Sequence, residues 1–390
     1  MNDEPQRQAP SGGGHVGKFN DWSCDRRAAA SGSTCLLALP DRRLQHLERS
    51  LGIMSNPLAE IIATKGWCVA DGATGTNLFG RGLETGYPPE LWSVERPDDI
   101  LWLHNSFIDA GSDLILTNSF GGTTFRLKLH HAQDRVAELN ERAAKLARRA
   151  ADVHTKSTGR QVVVAGSIGP TGELFEPLGA LTHSSALAAF HEQASALANG
   201  GVDVLWIETM SSIEEVAVAI EAAKKTGLPI CSTMTFDTAS RSMMGVTPED
   251  FARFAVAEGA DFIGANCGIG PAELLHSVQG IVPQVNDIPV VAKGNCGIPA
   301  YVDGAIHYHG TPELMAEYAL FARDAGAKII GGCCGTSPAH VAAMVSALNG
   351  IAKQPFDPAA MTAALGTAWD GVDTSGGGKV PRGGRRGRRR

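Results

Sequence analysis

Three of the eight cysteines stand in glycine-rich segments where metal chemistry is possible. Cys267 lies in Gly-Ala-Asn-Cys-Gly at 264–268, and Cys333 and Cys334 lie in Gly-Gly-Cys-Cys-Gly at 331–335. Thiolate sulfur selects zinc among the abundant metals, and three protein ligands would leave the fourth position of a catalytic site open. Adjacent side chains on a strand point apart, so Cys333 and Cys334 can bind one ion only at a turn, which the neighbouring glycines permit.

The other five cysteines are interpreted differently. Cys24, Cys35, Cys68 and Cys231 are expected to act as small apolar residues, the usual role of a single cysteine. Cys296 follows a β-branched run and could be a spare ligand, but we interpret it as a wall residue that does not bind metal. Eight cysteines, two of them adjacent, are too sparse for a disulfide scaffold, so a cytoplasmic, reducing environment is expected.

The cysteine segments belong to a repeated pattern of strands and helices between residues 65 and 350. Short β-branched runs alternate with longer alanine-rich stretches. The eight runs are Trp67 to Asp71, Asp113 to Thr117, Val162 to Gly166, Val204 to Glu208, Ile230 to Thr235, Phe262 to Asn266, Pro289 to Lys293 and Lys328 to Gly332. Eight parallel strands joined by right-handed crossovers close into a TIM barrel, which is the predicted fold.

Helical periodicity fills gaps between these runs. It extends over Asp134 to Val153, Ser184 to Gly200, Ile213 to Thr226 and Pro312 to Ala325. A doubly wound sheet is the alternative architecture. It would ordinarily carry a G-x-G-x-x-G turn after its first strand, and Asp-Gly-Ala-Thr-Gly-Thr at 71–76 lacks that spacing, which disfavours dinucleotide binding.

The C-terminal strand ends of a TIM barrel carry its active site, and in this sequence those ends are polar. Asp71 and Gly72 close the first run, Glu208 closes the fourth, and Asn295 follows the seventh. The cysteines that follow the sixth and eighth runs would face each other across the mouth of the barrel, within reach of one ion.

Four segments together resemble the homocysteine S-methyltransferase family. They are Asp-Gly-Ala-Thr-Gly-Thr at 71–76, Ala-Gly-Ser-Asp-Leu-Ile-Leu-Thr-Asn-Ser-Phe at 110–120 and the two cysteine segments. The family includes betaine-homocysteine and S-methylmethionine-homocysteine methyltransferases and the homocysteine module of cobalamin-dependent methionine synthase. The resemblance runs from about Leu58 to Ile351.

The resemblance implies a zinc-dependent methyltransferase that converts homocysteine to methionine. It implies zinc ligation by Cys267, Cys333 and Cys334 and a homocysteine pocket containing Asp71, Gly72, Glu208 and Asn295. Glu208 would hold the amino group, although a buried ion pair is its alternative role, and Asp71 could instead be a structural cap. Asn295 is retained in Lys-Gly-Asn-Cys-Gly at 293–297, where the family usually has Lys-Pro-Asn-Ala-Gly.

The source of the methyl group is left open by the sequence. An onium donor such as betaine, dimethylsulfoniopropionate or S-methylmethionine is expected. The alternative is a homocysteine-binding subunit of a split cobalamin-dependent methionine synthase, methylated by a separate corrinoid protein. Gly121 and Gly122 stand where betaine-type members tend to place an aromatic residue, which weakens a betaine assignment. Tyr87, Trp92 and Phe120 could form an aromatic cage for the cation, or serve in ordinary packing.

Two further hypotheses belong to other classes of protein. The first is a non-catalytic barrel that binds zinc and thiols. The second is a phosphate-using lyase with Lys293 as a Schiff-base residue, which the paired cysteines do not fit. His307 and His309 are expected to be exposed, with a fourth resting-state metal ligand as their alternative role.

The two ends of the chain differ from its middle. Residues 1–53 are predicted to be disordered or non-native, with Met54 as the native start, and 54–352 to form the barrel. Residues 353–390 are predicted to be a flexible basic tail, since 375–390 contain one Lys and six Arg while the whole chain carries a net charge of -7. Nucleic-acid binding through this tail is disfavoured, and no run is long and apolar enough for a membrane helix.

Overall fold

Eight parallel strands form a closed barrel in the computed structural model, which describes residues 56–237, 239–297, 299–302 and 305–369. Ten strands lie in these residues, and all except β8 and β9 belong to the barrel. They are β1 (Cys68–Val69), β2 (Leu114–Leu116), β3 (Val163–Ile168), β4 (Val204–Met210), β5 (Ile230–Met234), β6 (Phe262–Cys267), β7 (Val290–Gly294), β8 (Pro299–Val302), β9 (Ala305–Tyr308) and β10 (Ile329–Gly332). The hydrogen-bonded order is β1-β10-β7-β6-β5-β4-β3-β2, and a parallel bridge between Ala70 and Leu114 joins β2 back to β1. The predicted TIM barrel is confirmed, and each predicted run overlaps one of its strands.

Helices follow most of the barrel strands. They are α1 (Pro57–Lys65), α2 (Gly75–Phe79), α3 (Trp92–Glu95), α4 (Pro97–Asp109), α5 (Thr124–Lys128), α6 (Val136–Thr158), α7 (His183–Asn199), α8 (Ile213–Lys224), α9 (Pro248–Ala257), α10 (Pro271–Ile281), α11 (Pro312–Asp324), α12 (Pro338–Gly350) and α13 (Pro358–Leu365), with 3-10 helices at Pro89–Leu91, Gln133–Arg135 and Val282–Gln284. Side chains of Ser212, Thr247 and Thr311 cap α8, α9 and α11 by accepting first-turn N–H bonds. Of the helices in the described residues, none is both long and apolar enough to cross a bilayer.

The alternation of side chains along the strands produces two apolar clusters. Ala70 and Leu116 belong to the cluster inside the barrel, whereas Ile115 packs outward against the helices. Leu58 and Ile61 of α1 pack on the inner cluster, and Lys65 at the end of α1 pairs with Asp113 just before β2. Helix α1 therefore covers the N-terminal end of the barrel and leaves the C-terminal end for chemistry.

Two ordered elements lie outside the sequence-based prediction. The antiparallel hairpin β8–β9 connects β7 to α11. Helix α13 falls within the predicted tail, yet Met361 and Trp369 are buried and the Trp369 Nε1 donates to the Asp237 carbonyl at 3.2 Å. The predicted tail therefore begins with a packed segment, because α13 contacts α10 and α11. Residues 1–53, Met54 and the Arg-rich end lie outside the described residues.

Candidate metal and substrate site

The sulfur atoms of Cys267, Cys333 and Cys334 form one cluster at the C-terminal ends of the strands. The three Sγ atoms lie within 4.8 Å of one another, and all three residues are half-buried. Cys267 is the last residue of β6, and the other two follow β10 directly. A Zn–S bond of about 2.3 Å puts two sulfurs of a tetrahedral site about 3.8 Å apart, so a small closure would fit this set to zinc.

Unusual backbone conformations bring the three sulfurs together. Cys267 has a φ of 63°, in the left-handed region that non-glycine residues rarely adopt. Gly335 has a φ of 79°, and a Cβ there would lie 2.3 Å from the ring of Tyr308. The N–H of Thr336 donates to the Cys333 carbonyl at 3.1 Å, which closes a turn around Cys334. The predicted turn in the glycine-rich segment is present, and glycine is required in it.

Asn295 joins the two cysteine segments. Its Nδ2 donates to the Gly268 carbonyl at 2.5 Å, and its Oδ1 accepts from the N–H of Cys334 at 3.1 Å. The residues that line the cavity described below do not include Asn295. The structure therefore gives this predicted pocket residue a positioning contact.

Cys296 occupies a place of its own beside the cluster. It is fully buried, and its Sγ donates to the Gly310 carbonyl at 3.2 Å. Among the described residues it is not part of the three-sulfur group. Cys296 also does not line the cavity described below, so no contact in the structure gives it the expected place in the wall. Cys68 and Cys231 lie in the core, as expected, whereas Cys24 and Cys35 lie outside the described residues.

Hydrogen bonds among the three thiols separate their pKa values. Hydrogen bonds with Cys267 and Cys333 lower the pKa of Cys334 to about 3, and the Tyr308 side chain contributes in the same direction. Hydrogen bonds with its two partners raise the pKa of Cys267 far above its usual range. The lowered pKa of Cys334 favours its thiolate, which is the form that binds metal ions.

A cavity of about 730 Å³ opens beside the sulfur cluster. Its lining residues come from the loops after β1 and β2, from other strand ends and from the hairpin. They are residues 72–76, Phe79, residues 86–90, residues 116–121, Arg126, Leu127, His130, Ser167, Glu208, Thr209, Cys267, Lys293, Tyr308 and residues 332–334. The three cysteines and several charged side chains therefore line the same cavity.

Glu208 places a carboxyl group in this cavity. It lies in β4, is 7% exposed and accepts a hydrogen bond from the Ser167 hydroxyl. Burial raises the pKa of Glu208 to about 8, the Cys333 charge adds to the shift, and Lys293 opposes it. A carboxylate in this position can accept hydrogen bonds from the ammonium group of an amino-acid substrate.

Asp71 and Lys293 form a buried ion pair. Lys293 Nζ lies 2.8 Å from Asp71 Oδ1, and the N–H of Leu116 donates to Asp71 Oδ2 at 2.7 Å. Asp71 does not line the cavity, whereas Gly72 does, and a Cβ on Gly72 would lie 2.6 Å from the Thr336 carbonyl oxygen. Asp71 therefore connects the end of β1 to β2 and β7, a structural role that differs from the cap considered for it.

The ion pair with Asp71 also affects whether Lys293 could form a Schiff base with a substrate. Burial lowers the pKa of Lys293, but the charges of Asp71 and Glu208 outweigh it, so the pKa rises. A Schiff-base lysine must attack as the neutral amine. The charged state of Lys293 opposes the lyase hypothesis.

Comparison with known proteins identifies the family. A family model described as homocysteine S-methyltransferase matches residues 68–348. The chain belongs to the homocysteine S-methyltransferase family. The predicted resemblance and the predicted class of enzyme, a methyltransferase, are confirmed at this level.

Curated relatives of this methyltransferase family member include two methionine synthases. That of Mycobacterium tuberculosis is 31% identical over 304 residues, which cover 74% of this chain and 25% of that protein. That of Mycobacterium leprae is 31% identical over 297 residues, covering 72% and 24%. The chain thus spans about a quarter of the length of these relatives.

Solved structures show the same fold. The metallated form of the homocysteine methyltransferase MmuM from Escherichia coli matches with a TM-score of 0.63 and 24% identity, covering 74% of this chain and 99% of that chain. Its apo form matches with a TM-score of 0.60 and 23% identity, covering 75% and 100%. At this identity the likeness supports the barrel architecture of the methyltransferase.

Several cavity features of this methyltransferase were missed by sequence reasoning. Asn266 holds Thr209 in a left-handed conformation, with a φ of 61°, by accepting from its N–H at 2.9 Å and donating to its hydroxyl at 2.7 Å. Tyr308 enters from the unpredicted hairpin, and Glu90 from a 3-10 helix. Ser167 and Asn266 stand at strand ends, so that position was an available signal, whereas Tyr308 and Glu90 had none.

The three aromatic residues considered for a cation cage lie in different places. Tyr87 and Phe120 line the cavity, and Phe79 joins them, whereas Trp92 packs against the Arg96 guanidinium at 4.0 Å. The backbone of His309 is ordered and its side chain is exposed, as expected. The side chain of His307 lies outside the described residues.

Proposed function

We propose that this chain transfers a methyl group from a small onium donor to the sulfur of homocysteine and forms methionine. The observation that carries the proposal is the three-sulfur cluster on the wall of a cavity that also contains the Glu208 carboxyl group. A zinc ion bound by the three sulfurs would keep a fourth position for the substrate sulfur and would favour its thiolate over the thiol.

The protein's own residues would orient homocysteine. Glu208 would accept hydrogen bonds from its ammonium group while the Ser167 hydroxyl holds the carboxylate. Gly72 would present its backbone to the substrate, because it lines the cavity while its missing side chain lets it pack closely against Thr336. Fixing the amino-acid end keeps a sulfur lone pair aligned with the donor methyl group.

The reaction balances without a general base on the methyl group. One S–CH₃ bond forms at homocysteine sulfur as one bond from methyl to nitrogen or sulfur breaks in the donor. The donor leaves as a neutral amine or sulfide with the bonding electron pair, and the thiol proton of homocysteine is released to solvent. Such a reaction does not require a His-Asp or Ser-His pair. The functional groups that the cavity offers it are cysteines and carboxyl groups.

A corrinoid donor is the second candidate. The two methionine synthases match this chain over only a quarter of their length, which supports a homocysteine-binding subunit that works with other parts. A methylated corrinoid protein would then approach the mouth of the barrel. Phe79 and Phe120 are partly exposed there and would offer apolar contact.

The deciding experiment is transfer of labelled methyl to homocysteine from a panel of donors. Zinc-loaded protein is compared with Cys333→Ala and with Cys296→Ala, which removes a sulfur outside the cluster. Methionine formed from betaine, dimethylsulfoniopropionate or S-methylmethionine by wild type and Cys296→Ala, but not by Cys333→Ala, supports the proposal. Turnover only with a methylated corrinoid protein favours the second candidate. Zinc binding without homocysteine binding would contradict both and favour a non-catalytic zinc barrel.

A further inference from the structure

We propose that Glu90 recognises the positive charge of the methyl donor and makes this cavity selective for cationic donors. The inference rests on the proposed function in that the donor is taken to be an onium compound. Glu90 lies in the 3-10 helix Pro89–Leu91, lines the cavity and is 5% exposed.

Two contacts hold Glu90 in place. The N–H of Gly121 donates to Glu90 Oε1 at 2.6 Å, and the Asn118 side chain donates to the Pro89 carbonyl at 2.6 Å. The loop after β1 is thereby fixed to the end of β2. The carboxyl group is a built part of the cavity wall.

Glycine at position 121 is coupled to this carboxyl group. A Cβ on Gly121 would lie 2.8 Å from Glu90 Oε1. The Glu90 carboxyl group occupies the space next to the backbone of Gly121, where any side chain at position 121 would displace it.

The charge of Glu90 has no close counter-ion among the residues that the structure describes. Among the described residues, no Lys, Arg or His nitrogen lies within the 4.0 Å of an ion pair, and Arg126 and His130 act on it only over longer distances. Burial raises the pKa of the Glu90 carboxyl group, because a buried carboxylate without a close opposite charge is unfavourable. A cationic ligand in the cavity would offset that cost.

Aromatic rings complete the surroundings that a cation prefers. Phe79, Tyr87 and Phe120 line the same cavity as Glu90. A quaternary ammonium or sulfonium ion cannot donate hydrogen bonds, so it is recognised by charge and by the faces of aromatic rings. Arg126 also lines the cavity, and its guanidinium suits the carboxylate that betaine, dimethylsulfoniopropionate and S-methylmethionine have in common.

The test compares each onium donor with its neutral carbon isostere, in which carbon replaces the onium nitrogen or sulfur. Dissociation constants are measured by calorimetry on zinc-loaded wild type, Glu90→Gln and Glu84→Gln. The amide oxygen of Glu90→Gln can still accept from Gly121, so the variant removes charge and keeps the contact. Glu84 is exposed, belongs to the same loop and does not line the cavity, which makes it the matched control.

Wild type and Glu84→Gln are expected to bind at least one onium compound about tenfold or more tightly than its isostere. Glu90→Gln is expected to lose most of this preference while its zinc content and homocysteine affinity stay at the wild-type level. Equal preference in wild type and Glu90→Gln, or no preference in wild type, would overturn the inference.

The two proposals fail in distinguishable ways. Turnover with an onium donor that is unchanged in Glu90→Gln refutes the role of Glu90 and leaves the methyl transfer intact. The opposite outcome is a preference for cations that depends on Glu90, in a protein that binds homocysteine but never methylates it. This result would support donor recognition by Glu90 and refute the proposed reaction.

Discussion

The sulfur part of the cavity, with the three cysteines and Glu208, is built on strand ends, whereas the loop part, with Glu90 and its neighbouring aromatic rings, is built on the segments after β1 and β2. Cross-strand hydrogen bonds from Asn266 and Asn295 fix the first part. The aromatic rings of the second part, Phe79, Tyr87 and Phe120, are partly exposed. On the proposed function, a centre built on strand ends would activate one substrate, and the loops would select the other.

The largest expected effect comes from removing one sulfur. Cys333→Ser should lose zinc affinity by more than about 100-fold, since the loss of an outer-shell partner alone costs about 10–100-fold. Zinc per chain is measured after dialysis against a weak chelator. Cys296→Ser should keep its zinc, because its sulfur bonds to the Gly310 carbonyl. Equal zinc loss in the two variants would show that the cluster is not the metal site.

Breaking the buried ion pair should destabilise the sulfur part. Lys293→Met leaves the Asp71 carboxylate buried without its partner, which costs about 3–5 kcal/mol. Urea denaturation of the metal-free protein measures the change in the free energy of unfolding. The double variant Asp71→Asn with Lys293→Met should recover part of it. A single variant as stable as wild type would show that Asp71 does not join the strands in this way.

Glu208→Gln should weaken homocysteine binding about 10–100-fold with zinc content unchanged, since a charge-assisted hydrogen bond is lost. The matched ligand is the desamino analogue of homocysteine, whose affinity should not change. A similar loss for both ligands would place the amino group elsewhere.

The pH dependence of the same binding step follows from the pKa of Glu208. Burial raises this pKa to about 8 in the metal-free protein, so the carboxylate is lost, and homocysteine affinity with it, as pH falls below that value. Bound zinc moves the window to lower pH without changing the sign. Homocysteine affinity measured from pH 9 downward should fall in wild type more steeply than in Glu208→Gln, and equal slopes would exclude Glu208 as the titrating group.

The smallest expected effect lies in the loop part. Gly121→Ala brings a Cβ against the Glu90 carboxyl group, which the flexible side chain can partly avoid, so the donor KM should rise about tenfold. Steady-state kinetics at saturating homocysteine measure it, and zinc content should not change. A change in zinc content with no change in the donor KM would show that the sulfur part and the loop part do not act separately.

The difference between the sulfur part on strand ends and the loop part also explains how much of the site could be predicted from the sequence. The strand-end rule placed the cysteines and Glu208 at the mouth of the barrel, because βα periodicity fixes which residues close each strand. It could not distinguish Asp71, which faces Lys293, from Gly72, which faces the cavity. That difference depends on where a side chain points.

Two residues outside the barrel strands, Glu90 and Tyr308, could not be found by this reasoning. Glu90 and Tyr308 reach the cavity through a 3-10 helix and a hairpin whose paths depend on tertiary contacts, and no periodicity marks them. Helix α13 has a recognisable start, because the Asp357 side chain caps it and a proline follows, but its short length hid it in the predicted tail.

X-ray absorption at the zinc edge, recorded before and after addition of homocysteine, tests the central claim most directly. If the three cysteines bind zinc and homocysteine takes the fourth position, zinc should have three sulfur neighbours at about 2.3 Å in the zinc-loaded protein and four after homocysteine is added. A protein that binds no zinc, or whose sulfur count stays at three with homocysteine bound, would contradict it.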